Sequence, residues 1–429
     1  MEGAVSSSDD GEAFDRLAPA LRLAARRFGT PVGVTDLATI ERAAADVRAA
    51  FPDPWVRAFS VKANDVSAIV ARVCSVGFDA NVVSRGEWAI ARRAGVANSR
   101  ITLEGIGKPD ADLRAAVRSA AVGDPIRWIA IESLDEAEAL VRVARSLPRS
   151  RTLDVLFRLN PGVAPETHHG LAVGAASSKF GMTASELSAA VEVVGAATGL
   201  VPRGIHLHVG SQLGAVDAWR DGVRRALALL ALIAGSRRDF DTLDVGGGFP
   251  VGPDDASTPT AERFARELPE LLEQIPADRR PRRLAIEPGR VLVARAGYLV
   301  GRVLHAREPD GRQVVLDVGM TELIRPALYD AWHEVSALTS FGSPVAAGAP
   351  VTAEPTSVDG PICESTDHLG EHPLPPLRRG DLVAIRDAGA YGASMGSTYN
   401  GRPRPPQVIL ELDGRLTLAR RRGRLESLG

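Results

Sequence analysis

Among 51 basic residues only three are lysine: Lys62, Lys108 and Lys179. Mutational bias toward arginine codons accounts for the rest. Arginine meets the need for a surface charge as well as lysine does. It cannot replace an amine nucleophile, because a guanidinium stays protonated and forms no Schiff base. Any catalytic amine is therefore one of these three. Lys62 closes an apolar run, in FSVKAND. Other reactive types close similar runs: His208 in HLHVGSQ, the triplet Gly246-Gly247-Gly248, and Glu287 in Glu287-Pro288-Gly289-Arg290. Each alone has an ordinary explanation. The lysine is a solvated strand end, the triplet a tight turn, the histidine a satisfied structural residue, and Glu287 a partner for Arg290. Together they offer an amine, an imidazole, backbone N–H groups able to approach an anion, and a carboxylate.

The surrounding pattern brings these groups to one place. From about residue 55 to 290, short apolar, β-branched runs alternate with amphipathic stretches. The runs are Val56–Val61, Asp79–Val83, Ile101–Glu104, Trp128–Ile131, Val155–Leu159, Gly204–Val209, Thr242–Val245 and Arg283–Glu287, and they read as buried strands. Ser133 with Glu136, and Thr183 with Glu186, mark helix starts between them. Eight strands with intervening helices predict an α/β fold, a (β/α)₈ barrel. An open doubly wound sheet is the alternative. No G-x-G-x-x-G follows the first strand, which argues against a dinucleotide site. In a barrel the reacting groups stand at the C-terminal ends of the strands, where Lys62, His208, the glycine triplet and Glu287 all fall.

Beyond about residue 295 the pattern changes. Leu299–Ala306, Gln313–Val318, Leu382–Asp387 and Gln407–Leu412 read as strands joined by turns rich in Pro and Gly, a mostly β domain. Phe341–Pro350 and Glu371–Arg379 read as loops. The expected domains are a barrel over 36–290 and a β domain over 291–429, completed by residues 1–35 with the strand-like Pro31–Thr35.

An amine for a Schiff base, glycines for a phosphate and a carboxylate for a pyridinium nitrogen are the parts that pyridoxal phosphate requires. At this point the chain resembles the fold-type III (alanine racemase-like) pyridoxal-phosphate decarboxylases, and within them the diaminopimelate decarboxylases. The resemblance runs from about Phe28 to the C-terminus. It rests on SVKAN, VVSRGE, GIGK, RLNPGV, SKFG, HVGSQ, DVGGGF, EPGR, GMTELIRPALYDAWHE, CESTD and GAYGASMGSTYNGRPRP, in that order. All three lysines lie inside these motifs.

The resemblance implies that Lys62 carries the cofactor, His208 stacks on its ring and Glu287 bonds the ring nitrogen. It implies that Gly247, Gly248, the backbone around Gly289 and Arg290, and the Tyr391 hydroxyl hold the phosphate, with Ser211 beside the cofactor. Cys363 and Glu364 would come from the second subunit of a homodimer. Arg290, Arg325, Tyr329, Glu364 and Tyr391 would bind the substrate, and Cys363, a thiol, can return a proton to Cα. A substrate with an amino and a carboxyl group at both ends needs cations for the distal carboxylate and an anion for the distal ammonium. The arginines and Glu364 meet those needs.

Three departures bear on the substrate. Asn81 stands where the family usually has aspartate, Arg85 where it has glycine, and Leu171-Ala172-Val173 where it has polar residues. They leave open a relative acting on a different, even carrier-bound, amino acid. A catalytically silent binding homologue would be expected to have lost Lys62 or Cys363, and a racemase would not need the distal-end arginines.

The remaining composition excludes more than it assigns. A net charge of -2 gives no reason to expect nucleic acid or an anionic membrane. No apolar run reaches the roughly 20 residues that span a bilayer. Two cysteines, Cys74 and Cys363, do not make a disulfide scaffold, and the acidic, polar start has no signal-peptide pattern. A cytoplasmic protein without a metal site is expected.

Overall fold

The computed structural model describes residues 8–146, 148–168, 170, 172–175, 178–252, 257–307, 312–346 and 355–428. The chain divides into two compact units, residues 43–291 and residues 1–42 with 292–429. Strand β1 (Val32–Asp36) belongs to the latter.

Residues 43–291 form a closed barrel of eight parallel strands. These are β2 (Val56–Ser60), β3 (Asp79–Val82), β4 (Ile101–Leu103), β5 (Trp128–Ile131), β6 (Leu153–Leu159), β7 (Leu200–Leu207), β8 (Thr242–Asp244) and β9 (Arg283–Ile286). All eight apolar runs expected to be strands are here. Closure is made by β2 and β9, where Val56 stands opposite Ala285 and Arg57 opposite Ile286. Trp128, Ala130, Leu156 and Ala285 pack together as one buried cluster. The helix starts differ in detail. Thr183 and Glu186 make a reciprocal capping box. Ser133 caps its helix through the Glu136 N–H, but the Glu136 side chain turns to the Glu132 N–H, at 2.8 Å, and to Lys108.

The other unit is built on a nine-stranded mixed sheet. β1 lies in its middle, antiparallel to β10 (Gly297–Arg307) and parallel to Gln407–Leu410. A helix over Ser8–Phe28 buries Phe14, Ala18, Leu21, Ala24 and Ala25 against Val32, Val34, Val300 and Ala384. Sequence patterning gave no sign of this helix, whose first turns lie in the polar start of the chain. It also missed the strands Val335–Ala337, Thr356–Asp359, His368–His372 and Leu416–Arg420, which are short and rich in polar residues. Two expected loops contain strand: Ser343–Pro344 pairs with Thr339–Ser340, and residues 371–372 end the strand His368–His372. Residues 347–350 lie outside the described part.

Candidate active site

The C-terminal ends of the barrel strands carry the candidate groups. Lys62, half-buried, follows β2 in a single 3-10 turn, Val61–Ala63. This turn is pinned to the chain after β9, because the Ser60 N–H donates to the Pro288 carbonyl at 3.1 Å and the Ser60 hydroxyl to the Glu287 carbonyl at 3.2 Å. The two turns approach closely at Gly289, where a Cβ would lie 3.1 Å from Ser60 Cβ and 3.2 Å from Ala63 Cβ. The lysine and the Glu287 turn are thus fixed against each other through the backbone.

The glycine triplet follows β8. Gly246 and Gly248 have φ of 68° and 100°, the left-handed region where a side chain is strained. A Cβ on Gly247 would sit 2.2 Å from the Glu287 carbonyl oxygen. The Gly247 N–H donates to His208 Nδ1 at 3.2 Å. That bond makes Nδ1 an acceptor and places any proton of the neutral ring on Nε2. The His208 pKa is held well below the ordinary imidazole value, first by loss of water and then by Lys62 and Arg158. The ring is therefore neutral at pH 7 and able to lie flat against another ring. Arg290, buried, donates to the Ser211 hydroxyl at 3.2 Å.

Glu287 is buried, and its Oε1 accepts a hydrogen bond from the Asn81 amide at 3.0 Å. Asn81 is on β3, and β2 intervenes between β3 and β9, so the bond runs through the barrel interior. His206 Nε2 lies 3.3 Å from the same Glu287 oxygen and 3.4 Å from Glu104 Oε2. Glu132 and Arg158 pair at 2.7 Å with both side chains buried. The upper barrel is thus filled by charged and polar groups, where a barrel usually packs branched apolar ones. Glu104, His206 and Asp244 were not singled out in the sequence. The doubled histidine of HLHVGSQ is the one signal that pointed toward any of them.

Lys108 and Lys179 separate from Lys62. The Lys108 side chain is fully buried, pairs with Glu136 at 2.9 Å and donates to the Gly105 carbonyl. It is an ion-pair element under the β4 loop. Lys179 is exposed, with its ammonium 5.4 Å from the centre of the Phe180 ring. Of the departures, Arg85 turns outward and pairs with Asp112 at 2.6 Å. Ala172 bridges to Gly210, and the Val173 N–H donates to the Val209 carbonyl at 3.2 Å. This segment therefore runs beside the His208–Ser211 loop; Leu171 lies outside the described residues.

In the β unit, Cys363 and Glu364 are exposed on one loop. Asp367 builds that loop by accepting the Met320 N–H at 2.6 Å and the Ile362 N–H at 2.7 Å. The Asn400 amide lies 3.4 Å from Cys363 Sγ, and the Tyr399 hydroxyl donates to Glu364 Oε1 at 2.7 Å. Glu364 consequently raises the Tyr399 pKa. Tyr399 and Asn400 lie within GAYGASMGSTYNGRPRP, where the resemblance implies no role for either. Arg325 is buried at the start of the short helix Arg325–Tyr329. Its Nε donates to His333 Nε2 at 3.2 Å, which leaves His333 Nδ1–H to donate to the Arg386 carbonyl at 3.0 Å. Tyr391 is half-buried at φ 57°, a conformation that costs a non-glycine residue energy.

The barrel groups fit pyridoxal phosphate. A lysine amine stands at one strand end, a buried carboxylate at the next, and a turn that only glycine can make lies beside a neutral imidazole.

The family described as "Pyridoxal-dependent decarboxylase, pyridoxal binding domain" matches residues 37–294. The chain is 33% identical to the diaminopimelate decarboxylase of Aquifex aeolicus, over 96% of this chain and 94% of that protein. It is 36% identical to that of Pseudomonas aeruginosa, over 91% and 90%. A solved structure of diaminopimelate decarboxylase from Helicobacter pylori, complexed with L-lysine, superposes with a TM-score of 0.85 at 28% identity, covering 95% of this chain and 98% of that one. The chain belongs to the pyridoxal-dependent decarboxylases, in the diaminopimelate decarboxylase family.

Proposed function

We propose that this protein is a carboxy-lyase that converts meso-diaminopimelate to L-lysine and carbon dioxide. The observation that carries the reading is the locking of the Lys62 turn to the Glu287–Gly289 turn at the mouth of the barrel. Pyridoxal phosphate, when bound, supplies an electron sink for the pair left on Cα as carbon dioxide departs.

The chain's own groups divide the remaining work. Lys62 tethers the cofactor through its amine. The buried Glu287 carboxylate would bond the ring nitrogen, and neutral His208 would stack on the ring. Gly247 and Gly248, the turn at Gly289–Arg290 and the Tyr391 hydroxyl hold the phosphate, with Ser211 beside the cofactor. Arg290, Arg325, Tyr329 and Glu364 hold the distal end of the substrate. Cys363 delivers the proton to Cα. We assign Cys363 and Glu364 to the partner subunit of a homodimer and the enzyme to the cytoplasm. Among the described residues no helix is long and apolar enough to cross a membrane.

One observation favours a second reading, an amino acid with a different distal group. The segment with Ala172 and Val173, polar in the family, runs beside the His208–Ser211 loop. Purified protein with added pyridoxal phosphate and meso-diaminopimelate decides between them. Stoichiometric carbon dioxide and L-lysine establish the first reading. Cofactor absorbance without release from diaminopimelate, and with release from another amino acid, establishes the second.

A further inference from the structure

Two carboxyl groups and an imidazole meet inside the barrel. His206 Nε2 stands 3.4 Å from Glu104 Oε2 and 3.3 Å from Glu287 Oε1, and all three side chains are buried. Neither ring nitrogen of His206, nor Glu104 Oε1, has a hydrogen-bond partner of good geometry among the described residues. One side-chain polar atom each of Glu104, His206 and Glu287 lies within 4.8 Å of the other two. Two ionised carboxylates this close in a buried site repel strongly, and such a pair keeps one proton.

We propose that Glu104 is a positioning residue of the cofactor site, a neutral carboxyl that donates a hydrogen bond to Glu287 and leaves the pair's single negative charge on Glu287. The proposal rests on the reading that Glu287 faces the cofactor's ring nitrogen.

The Asn81 contact places the proton, and the burial of Glu104 and His206 agrees with it. Asn81 donates to Glu287 Oε1 at 3.0 Å, which stabilises the anion on Glu287. Burial, and then Glu287, push the Glu104 pKa up to about 8. Burial brings the His206 pKa down to about 4, so the imidazole does not take the proton. The other charged and titratable groups facing the cluster come from the remaining strands. Lys62 follows β2, Glu132 follows β5 and pairs with Arg158 of β6, His208 follows β7, and Asp244 ends β8. Asp244 is itself pushed well above an ordinary carboxylate by burial, then by Glu287 and Glu104.

The arrangement gives Asn81 a reason. Here the position is a neutral amide, and an acid stands on the neighbouring strand end, where the Glu104 N–H donates to the Val82 carbonyl at 2.8 Å. An aspartate at 81 would add a further buried carboxyl to a cluster that already holds one more than it can ionise.

Glu104→Gln tests the proposal on the holoenzyme, because an amide keeps a neutral donor in place of the carboxyl O–H. Infrared difference spectra should lose one protonated-carboxyl band in E104Q, while Asp244→Asn removes a separate one. The ¹⁵N shift of labelled cofactor should still report a protonated ring nitrogen. Cofactor affinity should stay within about threefold, whereas Glu104→Ala, which removes the donor, should weaken it about tenfold or more. No band lost in E104Q, or loss of the protonated-nitrogen signal in E104Q, would overturn the proposal. The Gln variant decides even if the Ala variant does not fold. Wild-type protein that binds no cofactor would instead overturn the assignment of Glu287.

Discussion

Asn81 on β3 reaches across the barrel interior to hold Glu287, which follows β9, through one amide hydrogen bond of 3.0 Å. This bond fixes the orientation of the carboxylate assigned to the ring nitrogen. Asn81→Ala leaves a buried carboxylate oxygen short of a donor, at a cost of about 1–3 kcal/mol. Apo-protein stability in urea and cofactor affinity should both fall. An unchanged affinity would show that Glu287 is held by other contacts.

Lys62→Ala should abolish the visible absorbance of bound cofactor, while the fold, followed by circular dichroism, stays intact. Absorbance retained in that variant would mean that another amine carries the cofactor, with exposed Lys179 the next to replace.

Lys108 should behave in the opposite way. Its ammonium is buried against Glu136, whose pKa is raised mainly by burial and lowered in turn by Lys108. Removing one partner of such a pair leaves an uncompensated buried charge and costs about 3–5 kcal/mol. Lys108→Met should lower the urea midpoint strongly, with the cofactor spectrum of the folded fraction unchanged. A loss of cofactor binding at full stability would contradict the structural role.

The stability of the apo protein should carry the signature of Glu104. Its folded pKa, about 8, lies above the ordinary value of 4.5. The unfolded chain therefore releases this proton first as pH rises. The stability that the group contributes is complete below about pH 4.5 and is lost as pH climbs toward about 8. Urea midpoints across this range should fall more steeply for wild type than for E104Q. Parallel curves would mean that Glu104 ionises normally.

Cys363→Ala should slow product formation far more than it weakens cofactor binding. Mixing inactive Lys62→Ala and Cys363→Ala proteins, with subunit exchange confirmed, should restore part of the activity if the site is shared between subunits. No recovery would place both residues in one chain's site.

The sequence by itself determined the barrel strands, because runs such as Trp128–Ile131 and Arg283–Ile286 are apolar enough to be read as buried without knowledge of their neighbours. It also narrowed the catalytic amine to three lysines, of which Lys62 closes a barrel strand, because arginine cannot replace an amine nucleophile. It could not show the Ser8–Phe28 helix, which depends on a sheet face formed partly by strands hundreds of residues away, nor short polar strands such as His368–His372, which exist by pairing. Only the tertiary structure decided the charged upper layer of the barrel. Glu104 and His206 read as ordinary strand and strand-end residues, because local alternation tells which side chains share a face and not what stands opposite them. Closing eight strands set that register. It turned Asn81, Glu104, His206 and Glu287, spread over more than two hundred residues of chain, toward one another in a buried space, where their protonation is set by contact and no longer by residue type.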